Sequence, residues 1–328
     1  MADDYSLKLA ASMTMPRLVE QLDQVTRTFT GSIELIDTTD GVRNAVKKLR
    51  KYTELSLDCE GVRLGRDGKM MLLQLGAKGD TVYLFDVLKL GKALFELGVK
   101  DILESSIIVK YVFDCRQDSV SLWLEYQVKL SNVFDMQLLE YLCRKKAGTS
   151  FRRPTKRWHY RLPVIRGMND TVSKYVSLYN LGFGSLPFSA IKDAGHNLIN
   201  TEQTIWRYRP ISNGLKIYAA LDIVMTWAIV DGLQRYEKLE GVTRERIKIA
   251  SERYAAVRRD VGHIDKIFIH TSLLLSYIIP EVSGGHIVPF PTCDRKCSGC
   301  QREMPSQDFR TNLCIDCNEI QRVSVHRR

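Results

Sequence analysis

The sequence predicts an α/β fold, a mixed β-sheet flanked by helices, with a small separate module at its C-terminal end. Three observations predict it. Three short apolar segments between residues 55 and 86 are punctuated by tight-turn residues, as in an antiparallel meander. From residue 90 onward strand-like and helix-like segments alternate, which adds further strands and helices to cover both faces. The cysteines crowd toward the end of the chain, after a stretch rich in Gly and Pro.

Each element has a local reason. Ser32 to Ile36 alternates like a short strand, and Asp37 to Asp40 offers N-cap residues for a helix through Ala45 to Arg50. Leu55 to Glu60 is an apolar strand ending in acidic residues. The turn signal Arg66-Asp67-Gly68-Lys69, Asp-Gly being favoured where φ is positive, leads into strands over Met70–Gly76 and Thr81–Asp86. Leu90–Leu97 and Val99–Ser105 read as helices, Ile107–Phe113 as a strand, and Asp118–Tyr126 as an amphipathic helix. A short strand ends at Asp135 and a helix begins at Met136. Further helices are expected over Thr171–Leu181, Leu215–Gln234 and Arg244–Ile279. This divides the chain into a peripheral segment over 1–30, a main domain over 31–282, a linker over 283–291 and a terminal module over 292–328.

Composition narrows the classes. The net charge of +10 over 328 residues makes an acidic partner such as nucleic acid plausible. Residues 1–5 carry no apolar signal core, and the apolar run Ile267–Ile279 is too short to span a bilayer. With thiols either scattered in apolar surroundings or paired in knuckles, the chain reads as cytosolic or nuclear, without a membrane partner.

Two acidic constellations converge locally. Asp58 and Glu60 are two apart on a strand and share one face. Tyr218 and Asp222 are four apart on a helix and also share a face. Carboxylates at the end of a buried strand are costly unless a cation neutralises them, and hard oxygen ligands suit Mg²⁺ or Mn²⁺. A third feature is a run of Arg and Lys from Arg144 to Arg161 without one acidic residue, read as a surface insertion over about 144–170. Within it Arg152, Arg153, Lys156, Arg157 and Arg161 can neutralise phosphates, while Trp158 and Tyr160 can stack on unpaired bases. Finally, Cys297, Cys300, Cys314 and Cys317 form two CxxC knuckles, a ligand set for one structural Zn²⁺ whose binding would supply the folding energy of so small a module. Arg295, Lys296, Arg302 and Arg310 leave it open whether that module meets nucleic acid or a protein partner. The histidines, His159, His196, His263, His270, His286 and His326, show no ligand spacing and read as satisfied or exposed.

Four blocks carry a resemblance. Leu57-Asp58-Cys59-Glu60-Gly61, Tyr111 through Ser119, Asn132 through Gln137, and Arg209-Pro210-Ile211 with Tyr218 to Asp222 occur in the order found in ribonuclease D-type 3′–5′ exonucleases. The chain resembles the Egalitarian-like branch of that group, within the ribonuclease H-like superfamily, over roughly residues 30–280. The resemblance implies a ribonuclease H-like sheet. It also implies a DEDDy site in which Asp58, Glu60, Asp118 and Asp222 bind two Mg²⁺ or Mn²⁺ ions. Asp58 would lie between the ions, Glu60 and Asp222 on the nucleophile side, and Asp118 on the other. Tyr218 would orient or help deprotonate the attacking water. Asp118 is preferred over Asp114 as the ligand, and Asp86 and Asp135 are expected to be caps. Two positions depart from the pattern, Phe113 standing where many relatives have His and Val120 where the branch often has Asp. The implied activity is 3′–5′ hydrolysis of single-stranded RNA or DNA, RNA favoured, to nucleoside monophosphates. The alternatives are a non-catalytic RNA-binding adaptor with the same fold, or a scaffold that recruits a protein through the zinc module.

Overall fold

The computed structural model describes residues 15–149, 165–177, 188–259, 278–288, 295–299, 303–304 and 311–313. A helix over residues 15–25 (α1) opens the fold. β1 (Ile33–Ile36) and α2 (Thr39–Leu49) follow, and then the antiparallel meander of β2 (Glu54–Val62), β3 (Lys69–Gly76) and β4 (Val82–Asp86). Thr38 starts α2 by accepting a hydrogen bond from the Gly41 amide at 3.1 Å. Three short helical turns, α3 (Val87–Leu90), α4 (Lys92–Leu94) and α5 (Lys100–Glu104), lead to β5 (Val109–Val112), α6 (Arg116–Tyr126), β6 (Val133–Asp135) and α7 (Met136–Lys146). The second half is helical: α8 (Met168–Tyr175), α9 (Phe188–Thr201), α10 (Asn213–Gln234) and α11 (Gly241–Arg259).

The sheet has six strands in the order β1-β4-β3-β2-β5-β6. The β2–β3 and β3–β4 pairs are antiparallel, and the β1–β4, β2–β5 and β5–β6 pairs are parallel. It is therefore the mixed, helix-flanked sheet of the ribonuclease H-like fold. Central β2 is apolar because helices cover it on both sides; Leu55 and Leu57 are buried. The longest helix, α10, crosses the sheet, and the Trp227 indole donates to the Gly76 carbonyl at 3.1 Å. By length and apolarity α10 could cross a bilayer, but 83% of its apolar window is buried inside the protein, as a core helix requires. α11 locks the β6–α7 junction from outside. Its Ser251 hydroxyl accepts from the Asp135 amide at 2.8 Å, and its Tyr254 hydroxyl donates to Gln137 at 2.7 Å.

Several expectations are corrected. The segment expected to be peripheral is seated on the core over α1, where Leu22 is fully buried and Asp23 accepts from the Gly214 amide at the start of α10. Gly68 does not serve a positive φ; Arg63 and Gly65 take that conformation. Gly68 is required because a Cβ there would stand 1.7 Å from the Arg63 carbonyl oxygen. α6 begins at Arg116 and is not simply amphipathic, since it is wedged between the sheet and α11 and buries Arg116, Asp118, Ser119 and Ser121. α9 has no counterpart among the expected helices. The basic run does not begin as a surface loop at Arg144: that residue ends α7 in the core, 2.7 Å from the fully buried Glu140 carboxylate. A buried ion pair of this kind explains how a cation belongs there. Arg152, Arg153, Lys156, Arg157, Trp158, Tyr160 and Arg161 lie outside the described residues, as do Cys300, Cys314 and Cys317.

Candidate active site

Asp58 and Glu60 emerge from β2 on one face, as strand alternation demands. Asp222 reaches them from α10, and the three carboxylates bring oxygen atoms within 4.8 Å of one another. Residue separation along the chain is large, so the convergence is produced by α10 lying against the end of β2. Burial, together with the repulsion of Asp222 and Asp118, holds the Asp58 carboxyl well above the usual carboxylate range. The same causes, burial first and Asp222 second, push Glu60 up to about 8.

Asp118 approaches from α6 and is not one of this close trio. Cys59, between Asp58 and Glu60 on β2, borders the same cleft, and its thiol donates to the Asp118 carboxylate. Burial and the nearby Asp114 raise Asp118 to about 8. Asp114 itself is committed to an ion pair with Arg116, whose guanidinium also lies 4.6 Å from the Tyr254 ring. The carboxylate that faces the trio is therefore Asp118. Asp135 sets its position by accepting from the Asp114 and Cys115 amides, at 3.1 and 2.8 Å, just before α6 starts, and it caps α7 through the Gln137 amide at 2.9 Å. Asp86 caps α3 at Lys89 and receives a two-pronged bond from Arg209, both contacts 2.6 Å. Both aspartates are structural, as expected.

Tyr218 sits one turn before Asp222 on the same face of α10 and is only 4% exposed. Burial and the three neighbouring carboxylates push its phenol far above the ordinary tyrosine value, so the hydroxyl remains protonated and can donate. Its ring lies against α9. His196 packs edge-on at 6.2 Å between centroids, and Trp206 at 6.4 Å. α9 also supplies Lys192, whose ammonium is 2.7 and 2.8 Å from the two Asp222 oxygens and 3.9 Å from the Tyr218 ring centroid. Lys192, His196 and the carboxylates of Asp58, Glu60, Asp118 and Asp222 border a cleft of about 460 Å³, which Phe113, Gln117, Asn169 and Asp170 also line, with Tyr218 packed behind it.

Lys192 and Gly195 escape the sequence reading, and His196, read there as a satisfied or exposed histidine, packs on the Tyr218 ring. A signal was present: Phe188, Ile191, Ala194 and Leu198 recur at helical spacing. Nothing local tells that the polar residues between them face carboxylates from α10. The donor set itself is all hard oxygen, half-buried or buried, and mutually repelling, which fits a divalent cation of the Mg²⁺ or Mn²⁺ kind.

At the C-terminal end, β7 (Val282–Ser283) pairs with β8 (His286–Ile287), within the expected linker, and β9 (Arg295–Lys296) pairs with β10 (Glu303–Met304). Buried Cys297 follows β9, and the Ser298 amide and hydroxyl both donate to the Asn312 carbonyl at 3.0 Å. The chain at Asn312 is thus held beside Ser298.

Known proteins share this architecture. The profile of the 3′–5′ exonuclease family matches residues 33–236. The human piRNA biogenesis protein EXD1 is 30% identical over 179 residues, 54% of this chain and 32% of that protein. An Egalitarian protein homolog of Caenorhabditis elegans is 33% identical over 102 residues, 31% of this chain and 17% of that protein. The chain thus spans a third or less of the length of either relative. The crystal structure of Trypanosoma brucei RNase D superposes with a TM-score of 0.55 at 21% identity, covering 71% of this chain and 74% of that one. Its complex with RNA U12 gives 0.54 at 20% identity, covering 73% and 74%.

Proposed function

This chain belongs to the 3′–5′ exonuclease family, and on that premise we propose that it hydrolyses single-stranded nucleic acid, RNA favoured, from the 3′ end to nucleoside monophosphates. The observation that carries the reading is the close-set Asp58–Glu60–Asp222 trio, Asp222 buried and the other two half-buried, with Tyr218 one turn before Asp222. The preference for RNA draws support from relatives named for piRNA biogenesis and from a fold neighbour solved with RNA.

Asp58, Glu60, Asp118 and Asp222 would hold two Mg²⁺ or Mn²⁺ ions. Such ions, when bound, lower the pKa of a water and stabilise the charge on the leaving 3′ oxygen. The chain's residues do the rest. The cleft gathers Asp58, Glu60, Asp114, Asp118, Asp170 and Asp222 around one lysine, so a phosphodiester can enter only with cations. Tyr218, protonated and boxed between α9 and Trp206, orients the attacking water. The water oxygen attacks phosphorus as the water gives up a proton to solvent, the P–O3′ bond breaks, and the departing 3′ oxygen takes up a proton from solvent. Phe113 offers a terminal base an apolar wall at the cleft.

We assign Arg152, Arg153, Lys156, Arg157, Trp158, Tyr160 and Arg161 to guiding the single strand, and Cys297, Cys300, Cys314 and Cys317 to a structural Zn²⁺ in a module that can also dock a protein partner. Cytosol or nucleus suits such thiolates. The test is incubation of purified protein with 5′-labelled RNA and DNA oligonucleotides in Mg²⁺, Mn²⁺ or EDTA, beside Asp58→Asn. A metal-dependent ladder shortening from the 3′ end, absent in the variant, supports the enzyme. Intact oligonucleotides that are nonetheless retarded on a gel support the second reading, a non-catalytic RNA-binding adaptor. That reading is favoured by one observation: Asp222 already holds a cation, Lys192.

A further inference from the structure

We propose that Lys192 is a resident cation that replaces one of the two divalent ions, so that the site takes a single metal on the Asp58, Glu60 and Asp118 side. The inference rests on the metal-dependent reading above and changes its stoichiometry. The ammonium is 2.7 Å from one Asp222 oxygen and 2.8 Å from the other, so it engages both atoms a metal ion would need. It is fixed from a second direction by the Tyr218 ring, 3.9 Å from the centroid. The two side chains of the pair are 6% and 9% exposed, so neither is a solvated surface contact. The charge of Lys192 also offsets that of Asp58 and Glu60, so it acts on the whole trio.

The seat is built into the backbone. Gly195 lies one turn after Lys192 on α9, and a Cβ there would come within 2.2 Å of the Tyr218 ring. Only glycine lets α9 approach closely enough for Lys192 to lie between Asp222 and that ring. A divalent ion bound to Asp222 would have to share both oxygens with an ammonium at ligand distance, and the two cations repel. With Lys192 in place the neutralising charge on the nucleophile side is a side chain. Lys192 then positions the attacking water and the scissile phosphate alongside Tyr218.

The test counts metal ions on the full-length protein with its zinc loaded. Mn²⁺ is titrated by calorimetry and by electron paramagnetic resonance into the native protein, Lys192→Met, Lys192→Gln and Asp58→Asn. Lys192→Gln keeps a hydrogen bond to Asp222 without the charge, and serves if the methionine variant does not fold. The expected result is one Mn²⁺ on the native protein, none at this site in Asp58→Asn, and two in the lysine variants. The second ion there should bind at least tenfold more tightly than any second ion on the native protein, and the pair should show spin coupling. Two coupled ions on the native protein overturn the inference while leaving the nuclease reading intact. One ion on both native protein and folded lysine variants overturns it as well, since Lys192 then does not exclude the second. No Mn²⁺ on any of them overturns the metal-dependent reading itself.

Discussion

Replacing Gly195 with alanine places a methyl group 2.2 Å from both Cδ2 and Cε2 of Tyr218. Carbon atoms rest at about 3.5–4.0 Å, so the ring or α9 must retreat by more than about 1 Å. The ring has nowhere easy to go, with Trp206 at 6.4 Å and His196 at 6.2 Å between centroids and 4% of the residue exposed. Overpacking of this kind costs about 1–3 kcal/mol. Alanine in a helix interior recovers roughly 1 kcal/mol relative to glycine. The net loss is therefore about 0–2 kcal/mol, a drop in Tm of at most about 4–8 °C at ~2–4 °C per kcal/mol. The effect on chemistry is larger, because Tyr218 and Lys192 move together, and a displacement of about 1 Å can cost ~100-fold in rate. The assays are thermal unfolding and single-turnover cleavage of a 5′-labelled RNA. The Tyr218→Ala background isolates the cause: with the ring gone, alanine at 195 should be neutral or stabilising. Gly195→Ala with native Tm and rate, or an equal loss in both backgrounds, would refute the packing argument.

Asp58→Asn should abolish 3′ shortening yet raise the Tm measured in EDTA, because it removes one of several carboxylates that repel one another; a lower Tm in EDTA would contradict that repulsion. The pH dependence of the metal-free protein has a definite sign. Glu60 and Asp118 sit near 8 when folded against ordinary values of 4.5 and 3.8, so the folded state holds protons that the unfolded chain releases. Stability in EDTA should therefore fall as pH rises from about 4.5 to about 8, and Mg²⁺ should flatten the slope, both read by Tm across that window. Arg144→Met leaves the fully buried Glu140 carboxylate only the longer contacts of Arg166 at 3.4 Å and Tyr175 at 3.5 Å, and should cost up to about 3–5 kcal/mol in denaturant unfolding. The double variant with Glu140→Met should recover most of the loss. Deleting residues 292–328 should release one Zn²⁺ per chain in a colorimetric assay and leave cleavage intact; loss of cleavage would place the module at the substrate.

How much of the site is legible along the chain depends on distance in sequence. Asp58 with Glu60, and Tyr218 with Asp222, can be read directly, because the periods of strand and helix place each pair on one face. The antiparallel meander, the caps at Asp86 and Asp135, and the two CxxC knuckles are equally local. Arg144 is not legible in this way: its partner Glu140 lies one turn away, but the burial of both depends on what packs over α7. α9 shows where local reading stops. Its apolar spacing marks a helix, while the value of Lys192 and Gly195 comes from α10 lying beside it. Sequence alone determined which residue types could bind cations, and on which faces of which elements they stand. Only the tertiary structure decided that three carboxylates meet within 4.8 Å and that a lysine joins them. The reason is physical: backbone periodicity is a property of neighbouring residues, whereas charge repulsion, burial and close approach are properties of elements packed together from distant parts of the chain.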